Sequence, residues 1–316
     1  MKRILVLGGT GYVGRAVCEK LTERASDGVV TVPTRRLPHG NGVRSLPTVQ
    51  VVQADVHDDA TLQRLVARAD AVINLVAILH GSKSGFEHVH VALPRRLAAA
   101  CKAAGVRRVL HVSALGVGPG APSNYLRSKT EGEAVLQAAG LDLTIFRPSV
   151  IFGAQDRFLN LFAQLQGLAP VFPLAGSGAQ FQPVWVEDVA AGIVAALDQA
   201  SSVGQVIECA GPQVYTLSEL VQLAGRYSGH ERLQIPLPGW LGRLQATAME
   251  WLPGEPLMSR DNVDSMAVPN IASGQLPGLA SLGITPAALE AVAPQYLGQD
   301  HMLARMNRWR RMSGRD

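Results

Sequence analysis

Three side chains near the middle of the chain have the types and spacing needed to work on a carbonyl/alcohol pair. Ser113 closes an apolar run, and twelve residues later Tyr125-Leu126-Arg127-Ser128-Lys129 opens a helical pattern that continues through Glu131, Glu133, Ala134 and Leu136. Tyr125 and Lys129 stand at i and i+4, so they share one helix face. A phenol titrates near pH ~10 and is a poor base at neutral pH, but a neighbouring ammonium favours its phenolate. Tyr125 is therefore a candidate to give or take a proton, with Ser113 bonded to the same oxygen and Lys129 tuning the tyrosine. With 5 tyrosines in 316 residues and equally few lysines, a chance Tyr-x-x-x-Lys is expected fewer than about 0.1 times. An exposed helix face carrying a stray tyrosine is the alternative.

Such chemistry needs a hydride carrier, and the first turn of the chain has the form of a dinucleotide site. Ile4 to Leu7 read as an apolar strand, Gly8, Gly11 and Gly14 follow in a GxxGxxG spacing, and Val13, Val17 and Leu21 mark an amphipathic helix. One glycine permits the sharp turn, one lets backbone N–H groups approach a pyrophosphate, and one lets helix and strand pack closely. The helix N-terminus adds unsatisfied donors and a positive dipole end. The expected cofactor contacts are thus Gly8, Thr10, Gly11, Tyr12, Val13 and Gly14.

The next strand ends specify which dinucleotide. After the expected strand 28–34 stand Arg35 and Arg36, where an NAD-specific site would place an acid for the ribose 2′-OH. Guanidinium groups suit a 2′-phosphate, so NADP(H) is favoured over NAD, with solvated loop charge as the alternative for either arginine alone. Asp55 and Val56, past a third strand at 49–52, are candidates for the adenine. An apolar run from Ala71 to Leu79 reads as a strand covered on both faces, with Val76 and Ala77 where its carboxyl end passes the cofactor. A helix over 87–104, kinked or not at Pro94, and a strand over 107–112 continue an alternation that predicts an α/β fold: a Rossmann-type doubly wound parallel sheet with right-handed crossovers.

Composition agrees. With 47% hydrophobic and 17% charged residues the chain is globular rather than disordered. No apolar run reaches the length of a membrane span, and Met1-Lys2-Arg3 leads directly into a core strand, which together predict a cytoplasmic protein. Cys18, Cys101 and Cys209 sit in apolar elements without ligand-like spacing, as buried thiols in a reducing compartment; no metal site is expected. Residues 301–316 hold five arginines against one aspartate, so this tail alone accounts for the net charge of +4 and the rest balances to zero. A nucleic-acid-binding domain is excluded on that ground.

With these residues in place the chain resembles the short-chain dehydrogenase/reductase superfamily, and Thr144 to Gly153 (TIFRPSVIFG) resembles its extended branch. YLRSKTEGE from Tyr125, FRPSVIFGAQDRFLN from Phe146, FQPVWVEDVA from Phe181 and YTLSELV from Tyr215 are similar to the atypical group that contains the NADPH-binding accessory subunit of respiratory complex I and its bacterial relatives. The resemblance implies a firmly held NADPH touching Tyr125, Lys129 and Pro148, and a smaller C-terminal substrate lobe. It divides the chain into 1–151 and 183–212 for the nucleotide domain, 152–182 and 213–300 for the lobe, and 301–316 as a tail. It also exposes a departure: where extended enzymes carry a proton-relay asparagine, this chain reads Val89-His90-Val91, and His90 either shuttles protons or is a buried helical histidine.

In the second half, Glu187 and Asp188 are expected at a helix N-terminus as dipole partners. Asp156 and Arg157 are either a site contact or a surface ion pair. The Pro- and Gly-rich stretch 233–279, with Trp240 and Trp251, is expected to be irregular and apolar, as cover for an apolar or quinone-like substrate or as ordinary packing. Met302, Met306 and Trp309 share a stripe in the basic tail, which suits peripheral contact with anionic lipid on the inner face of a membrane, or an acidic partner. Two functions follow: an NADPH-dependent oxidoreductase on an apolar carbonyl or quinone, or a catalytically quiet NADPH-binding accessory protein of a membrane complex. A sugar-nucleotide epimerase or dehydratase is a third.

Overall fold

A computed structural model describes residues 2–24, 28–168, 170–251, 258–298, 306, 309 and 310. Two compact units make up the chain. The first comprises Met1–Pro148, Glu187–Cys209 and Ser273–Thr285, the second Ser149–Val186, Ala210–Ala272 and Pro286–Asp316.

The first unit runs β1 (Arg3–Leu7), α1 (Tyr12–Glu23), β2 (Val29–Thr34), α2 (Asn41–Arg44), β3 (Val49–Gln53), α3 (Asp59–Val66), β4 (Ala71–Asn74), α4 (Lys83–Glu87), α5 (Leu93–Ala104), β5 (Arg108–Val112), α6 (Asn124–Gln137) and β6 (Asp142–Pro148). The chain then enters the second unit with β7 (Ile151–Phe152), α7 (Leu159–Leu168), β8 (Val171–Ala175), β9 (Gln180–Phe181) and β10 (Val184–Trp185). It returns through α8 (Val186–Ala196) and β11 (Val206–Cys209). The rest of the second unit holds β12 (Tyr215–Thr216), α9 (Leu217–Ser228), β13 (Leu233–Leu237), α10 (Gly239–Glu250), α11 (Arg260–Ser265) and α12 (Leu289–Leu297).

Seven strands form one sheet in the order β11-β6-β5-β4-β1-β2-β3, and its ladders are parallel. The expected α/β doubly wound sheet is present. Ile4, Leu5, Val6, Leu7, Val72 and Ile73 are all buried, as strands covered on both faces require. Strand order reverses between β1 and β4, and ligands of open α/β sheets bind outside the carboxyl ends of the strands at such a switch point.

The apolar run 71–79 forms a strand only as far as Asn74. There the backbone leaves the ladder: Leu75 N–H still bonds the Leu7 carbonyl, but Val76 N–H is taken by the Asn74 side chain at 3.3 Å and Ile78 N–H by the His90 ring at 3.1 Å. Leu79 is exposed. Pro94 does more than kink its helix. It has no N–H for the His90 carbonyl four residues back, and its ring crowds that oxygen, so α4 and α5 are joined by a π-turn at His88–Ala92.

One segment of the expected lobe joins the first unit. Glu208 N–H bonds the Pro277 carbonyl at 2.9 Å, and the buried Glu208 carboxylate accepts Ser273 N–H at 2.8 Å and Ser273 Oγ at 3.0 Å. Ser273–Thr285 is thereby held to β11.

The second unit has its own core of Phe152, Leu159, Phe162, Phe172, Leu217, Leu220 and Tyr296. Asp156 is a structural residue of this unit, since its buried carboxylate accepts the N–H groups of Gly153, Phe158 and Asn160 and the Tyr296 hydroxyl. The stretch expected to be irregular contains regular elements instead. β13 pairs in parallel with β8 over five residues, and α10 packs through Gly242, where a methyl group would lie 2.5 Å from Ala175 Cβ. Of the tail, residues 301–305, 307–308 and 311–316, with Met302 and most of the arginines, lie outside the described residues. Cys18, Cys101 and Cys209 are free and buried. No described helix is long and apolar enough to cross a membrane, and no metal-binding cluster occurs among the described residues.

Candidate functional site

The β1–α1 turn is built by its glycines. Gly8 has φ +80°, the left-handed region that glycine alone adopts readily, and its carbonyl accepts Gly11 N–H at 3.0 Å. Gly14 allows the helix to sit on the turn, because a methyl group there would lie 2.3 Å from Gly8 O and 2.6 Å from Gly9 Cα. Gly11 is the N-cap of α1 and has no side chain to cap it. Thr10, Tyr12 and Val13 complete the turn and first helical positions, half-buried. Of the roles expected from the spacing, the sharp turn falls to Gly8 and the close packing of helix on turn to Gly14.

Beside the turn lies a cavity of about 510 Å³ whose walls include Gly8, Thr10, Arg35, Arg36, Val56 and Val76. Arg35 and Arg36 are exposed, and neither enters a salt bridge among the described residues. Their carbonyls are fixed instead, Arg35 by Gln53 and Arg36 by the Thr34 hydroxyl. Among the described residues no carboxylate lines the cavity: the Asp55 side chain accepts His57 N–H at 3.0 Å and is not part of the wall. Ala77 is exposed, one residue beyond the wall.

Sequence reasoning missed His39 and His57, which also line this cavity. His57 stacks on His88 with ring centroids 4.3 Å apart, and its Nδ1 is buried without a partner. Burial first, then the His88 ring, holds its pKa below the ordinary histidine value. The available signal was position, since His39 and His57 stand within five residues of the ends of β2 and β3.

Ser113 follows β5 directly, with its N–H on the Phe146 carbonyl at 2.7 Å. The residue is 3% exposed and its Oγ has no hydrogen-bond partner among the described residues. An unpaired buried hydroxyl is costly to keep, so the site fits a group that brings an acceptor. Tyr125, in the first turn of α6, is half-buried beside the rings of Phe86 at 6.1 Å and His90 at 5.5 Å, both edge-on. Burial pushes its phenol up to about 12. Lys129 lies on the same helix, but its ammonium donates to the Val112 carbonyl at 3.0 Å, one residue before Ser113. Burial lowers the Lys129 pKa to about 8 against the opposing pull of Glu133. The expected depression of the tyrosine by its lysine is therefore absent: the buried ammonium is directed to the nearest carbonyl, and desolvation of the phenolate dominates at Tyr125.

Glu133, one turn further along α6, is buried and forks onto Arg147 of β6 at 2.9 and 2.5 Å. Pro148, beside it, is buried at the end of β6 and gives its carbonyl to Leu115 N–H. His111 on β5 receives a bond from the Asn74 amide at 3.1 Å, and burial holds its pKa down to about 3. His90 is buried with both ring nitrogens bonded, Nε2 accepting Ile78 N–H at 3.1 Å and Nδ1 facing Ser128 Oγ at 2.9 Å.

The family described as "NAD dependent epimerase/dehydratase family" matches residues 4–210 of the chain. The mouse protein named NADH dehydrogenase [ubiquinone] 1 alpha subcomplex subunit 9, mitochondrial, is 34% identical over 303 residues, covering 92% of this chain and 78% of its own. A ceramide reductase of Caulobacter vibrioides is 35% identical over 195 residues, 61% of this chain and 60% of its own. Among solved structures, the dTDP-glucose 4,6-dehydratase DesIV of Streptomyces venezuelae, with NAD and TYD bound, superposes with a TM-score of 0.72 at 22% identity, covering 98% of this chain and 97% of that one. At that identity the likeness is one of fold.

Proposed function

The chain belongs to the NAD dependent epimerase/dehydratase family, and from that premise we propose that it holds NADPH across the β1–α1 turn and reduces an apolar carbonyl compound of lipid or quinone type. The observation that carries this reading is the cavity beside the turn, which among the described residues has on its wall two arginines outside any salt bridge and no carboxylate. Two guanidinium groups match a 2′-phosphate and offer NADH nothing comparable.

In this reading backbone N–H groups from Gly8 to Gly14 take the pyrophosphate, and Thr10, Tyr12 and Val13 flank it. Arg35 and Arg36 take the 2′-phosphate, Val56 borders the adenine, with Asp55 turned away to His57 N–H, and Val76, Ala77 and Pro148 border the nicotinamide end. NADPH, when bound, supplies the hydride for the carbonyl carbon. Ser113 Oγ donates a hydrogen bond to the carbonyl oxygen, and Tyr125, a neutral phenol at pH 7, gives that oxygen its proton. Lys129 holds the ribose and tunes the tyrosine only once it is drawn off the Val112 carbonyl. The rings of Phe86 and His90 around Tyr125 favour an apolar substrate, as does the likeness to a protein named ceramide reductase. The test is calorimetry with NADPH and NADH, followed by loss of reduced-nicotinamide absorbance with long-chain aldehydes, ketones and quinones. NADPH binding that Arg35→Ala/Arg36→Ala reduces to the NADH level supports the reading, and turnover abolished by Tyr125→Phe completes it. No affinity for either nucleotide overturns it.

A second reading has its own support. The mouse relative is named as a subunit of NADH dehydrogenase and covers 92% of this chain. The second unit also carries Trp240 (68% exposed) and Leu244 on α10 and Trp251 (85%) just past its end, with Leu233 and Ile235 exposed on β13. As an accessory protein of a membrane complex, the chain would bind NADPH as a stabilising ligand and dock through such surfaces, with the basic tail against lipid. NADPH that raises the melting temperature but is consumed with no substrate in the panel favours this reading.

A further inference from the structure

The π-turn places His90 where it bridges two segments that must meet for Tyr125 to be held. Its Nε2 accepts Ile78 N–H at 3.1 Å, so that nitrogen carries no proton. The ring proton is on Nδ1 and donates to Ser128 Oγ at 2.9 Å, and Ser128 Oγ in turn donates to the Tyr125 carbonyl at 2.8 Å. The same imidazole meets the Tyr125 ring edge-on at 5.5 Å and stacks on Phe86 at 5.6 Å. Gly132 seals the other side, since a methyl group there would lie 2.0 Å from the His90 carbonyl. Every polar atom of the imidazole is thus committed to a fixed partner.

We infer that His90 is a positioning residue: a neutral imidazole in a single tautomer that ties the segment after β4 to the first turn of α6 and sets the place of the Tyr125 phenol. His90 does not shuttle protons, because moving one through the ring needs a free lone pair on one side and a free proton on the other, and Ile78 and Ser128 occupy both. Its burial first, then the Lys129 ammonium and the neighbouring His111 ring, disfavour the imidazolium. That Tyr125 needs such placement rests on the proposed function. The strut itself is a property of the protein without cofactor.

The experiment uses the full chain labelled with ¹⁵N-histidine and 3-fluorotyrosine, with the Tyr125 resonance assigned by its loss in Tyr125→Phe. The expected result is a His90 ring protonated on Nδ1 alone and unchanged between about pH 5 and pH 8. Ser128→Ala moves the Tyr125 fluorine resonance and Ser128→Thr, which keeps the hydroxyl, returns it towards the wild-type position. His90→Asn also moves it, and the double variant moves it no further than the larger single effect, because both break one chain of bonds. A His90 that titrates in this range or carries its proton on Nε2, or a Tyr125 resonance indifferent to Ser128→Ala, overturns the inference. The Ser128 pair decides the matter should His90→Asn not fold. No arm needs NADPH, so a protein that fails to bind the nucleotide refutes the functional reading and leaves this one to its own result.

Discussion

Ser113→Ala separates a structural serine from a working one, because the two roles predict opposite signs. The residue is 3% exposed, its N–H is satisfied by the Phe146 carbonyl, and its hydroxyl is not satisfied at all. Alanine keeps the backbone and Cβ and removes only the unpaired group. Burying a hydroxyl without a partner costs about 1–3 kcal/mol, and the small void left by one oxygen returns part of that. The variant is therefore expected to be more stable by about 1 kcal/mol, a rise in melting temperature of about 2 °C for a chain of this size. Urea and thermal unfolding of the cofactor-free protein measure it. In the carbonyl-reduction assay the same substitution is expected to lower kcat by about 10²-fold, the usual effect of deleting one donor to a developing oxyanion. A variant destabilised by about 1 kcal/mol or more would show that the hydroxyl has a partner in the folded protein, and the argument from its isolation would fail.

Three further outcomes follow from the buried groups of the first unit. Glu133→Gln leaves the Arg147 guanidinium without its forked carboxylate and is expected to cost about 3 kcal/mol in urea unfolding, whereas Glu133→Leu combined with Arg147→Met costs less than Glu133→Gln alone. His90 and His111 have folded pKa values lowered to about 2 and about 3, so below the unfolded value near 6.5 the unfolded chain takes up protons that the native state refuses. Stability is then lost as pH falls from about 6.5, by about 1.4 kcal/mol per pH unit for each histidine, and His90→Asn is expected to reduce that slope by about one proton. Gly14→Ala places a methyl group 2.3 Å from Gly8 O and is expected to cost about 3 kcal/mol and NADPH binding together. Gly120→Ala, with nothing within 4 Å, stays within about 0.5 kcal/mol of the parent in the same melts.

What could be read from the sequence was what local chemistry alone decides. The strand, glycine turn and helix from Arg3 to Glu23 are specified by neighbours a few residues apart, and the fold class follows from the same alternation repeated along the chain. Arg35 and Arg36 were visible for the same reason, since a strand end fixes where the next side chains stand. Tertiary partners decide the rest. Apolarity predicted a strand to Leu79, yet the residues after Asn74 are apolar because they pass over the turn, and side chains 37 and 12 residues away hold Asn74 and Ile78. Helical spacing put Lys129 on the face of Tyr125, but only the fold brings the Val112 carbonyl within 3.0 Å of its ammonium. His57 and His88 are single histidines 31 positions apart, and no pattern announces that their rings stack. Ser273–Thr285 joins the first unit through Glu208, a carboxylate 65 residues before the serine that it holds.

The two functional readings share the turn and the cavity, so nucleotide binding cannot choose between them; the residues around Tyr125 can. A protein that needs NADPH only as a stabilising ligand gains what it requires from Gly8 to Gly14, Arg35 and Arg36. For that purpose an unpaired Ser113 hydroxyl is a cost without a compensating contact among the described residues, lowering the stability that the ligand is meant to raise. In the proposed reaction it gains a partner, the carbonyl oxygen that would accept from Ser113. On this argument the unpaired serine supports the proposed reductase, and the comparison that tests it is the cofactor-free stability of Ser113→Ala set beside its NADPH affinity. Greater stability than the parent, with NADPH affinity retained, would mark the site as one that gives up stability for chemistry; lower stability would mean that the same serine helps hold the fold together, and the accessory reading would gain.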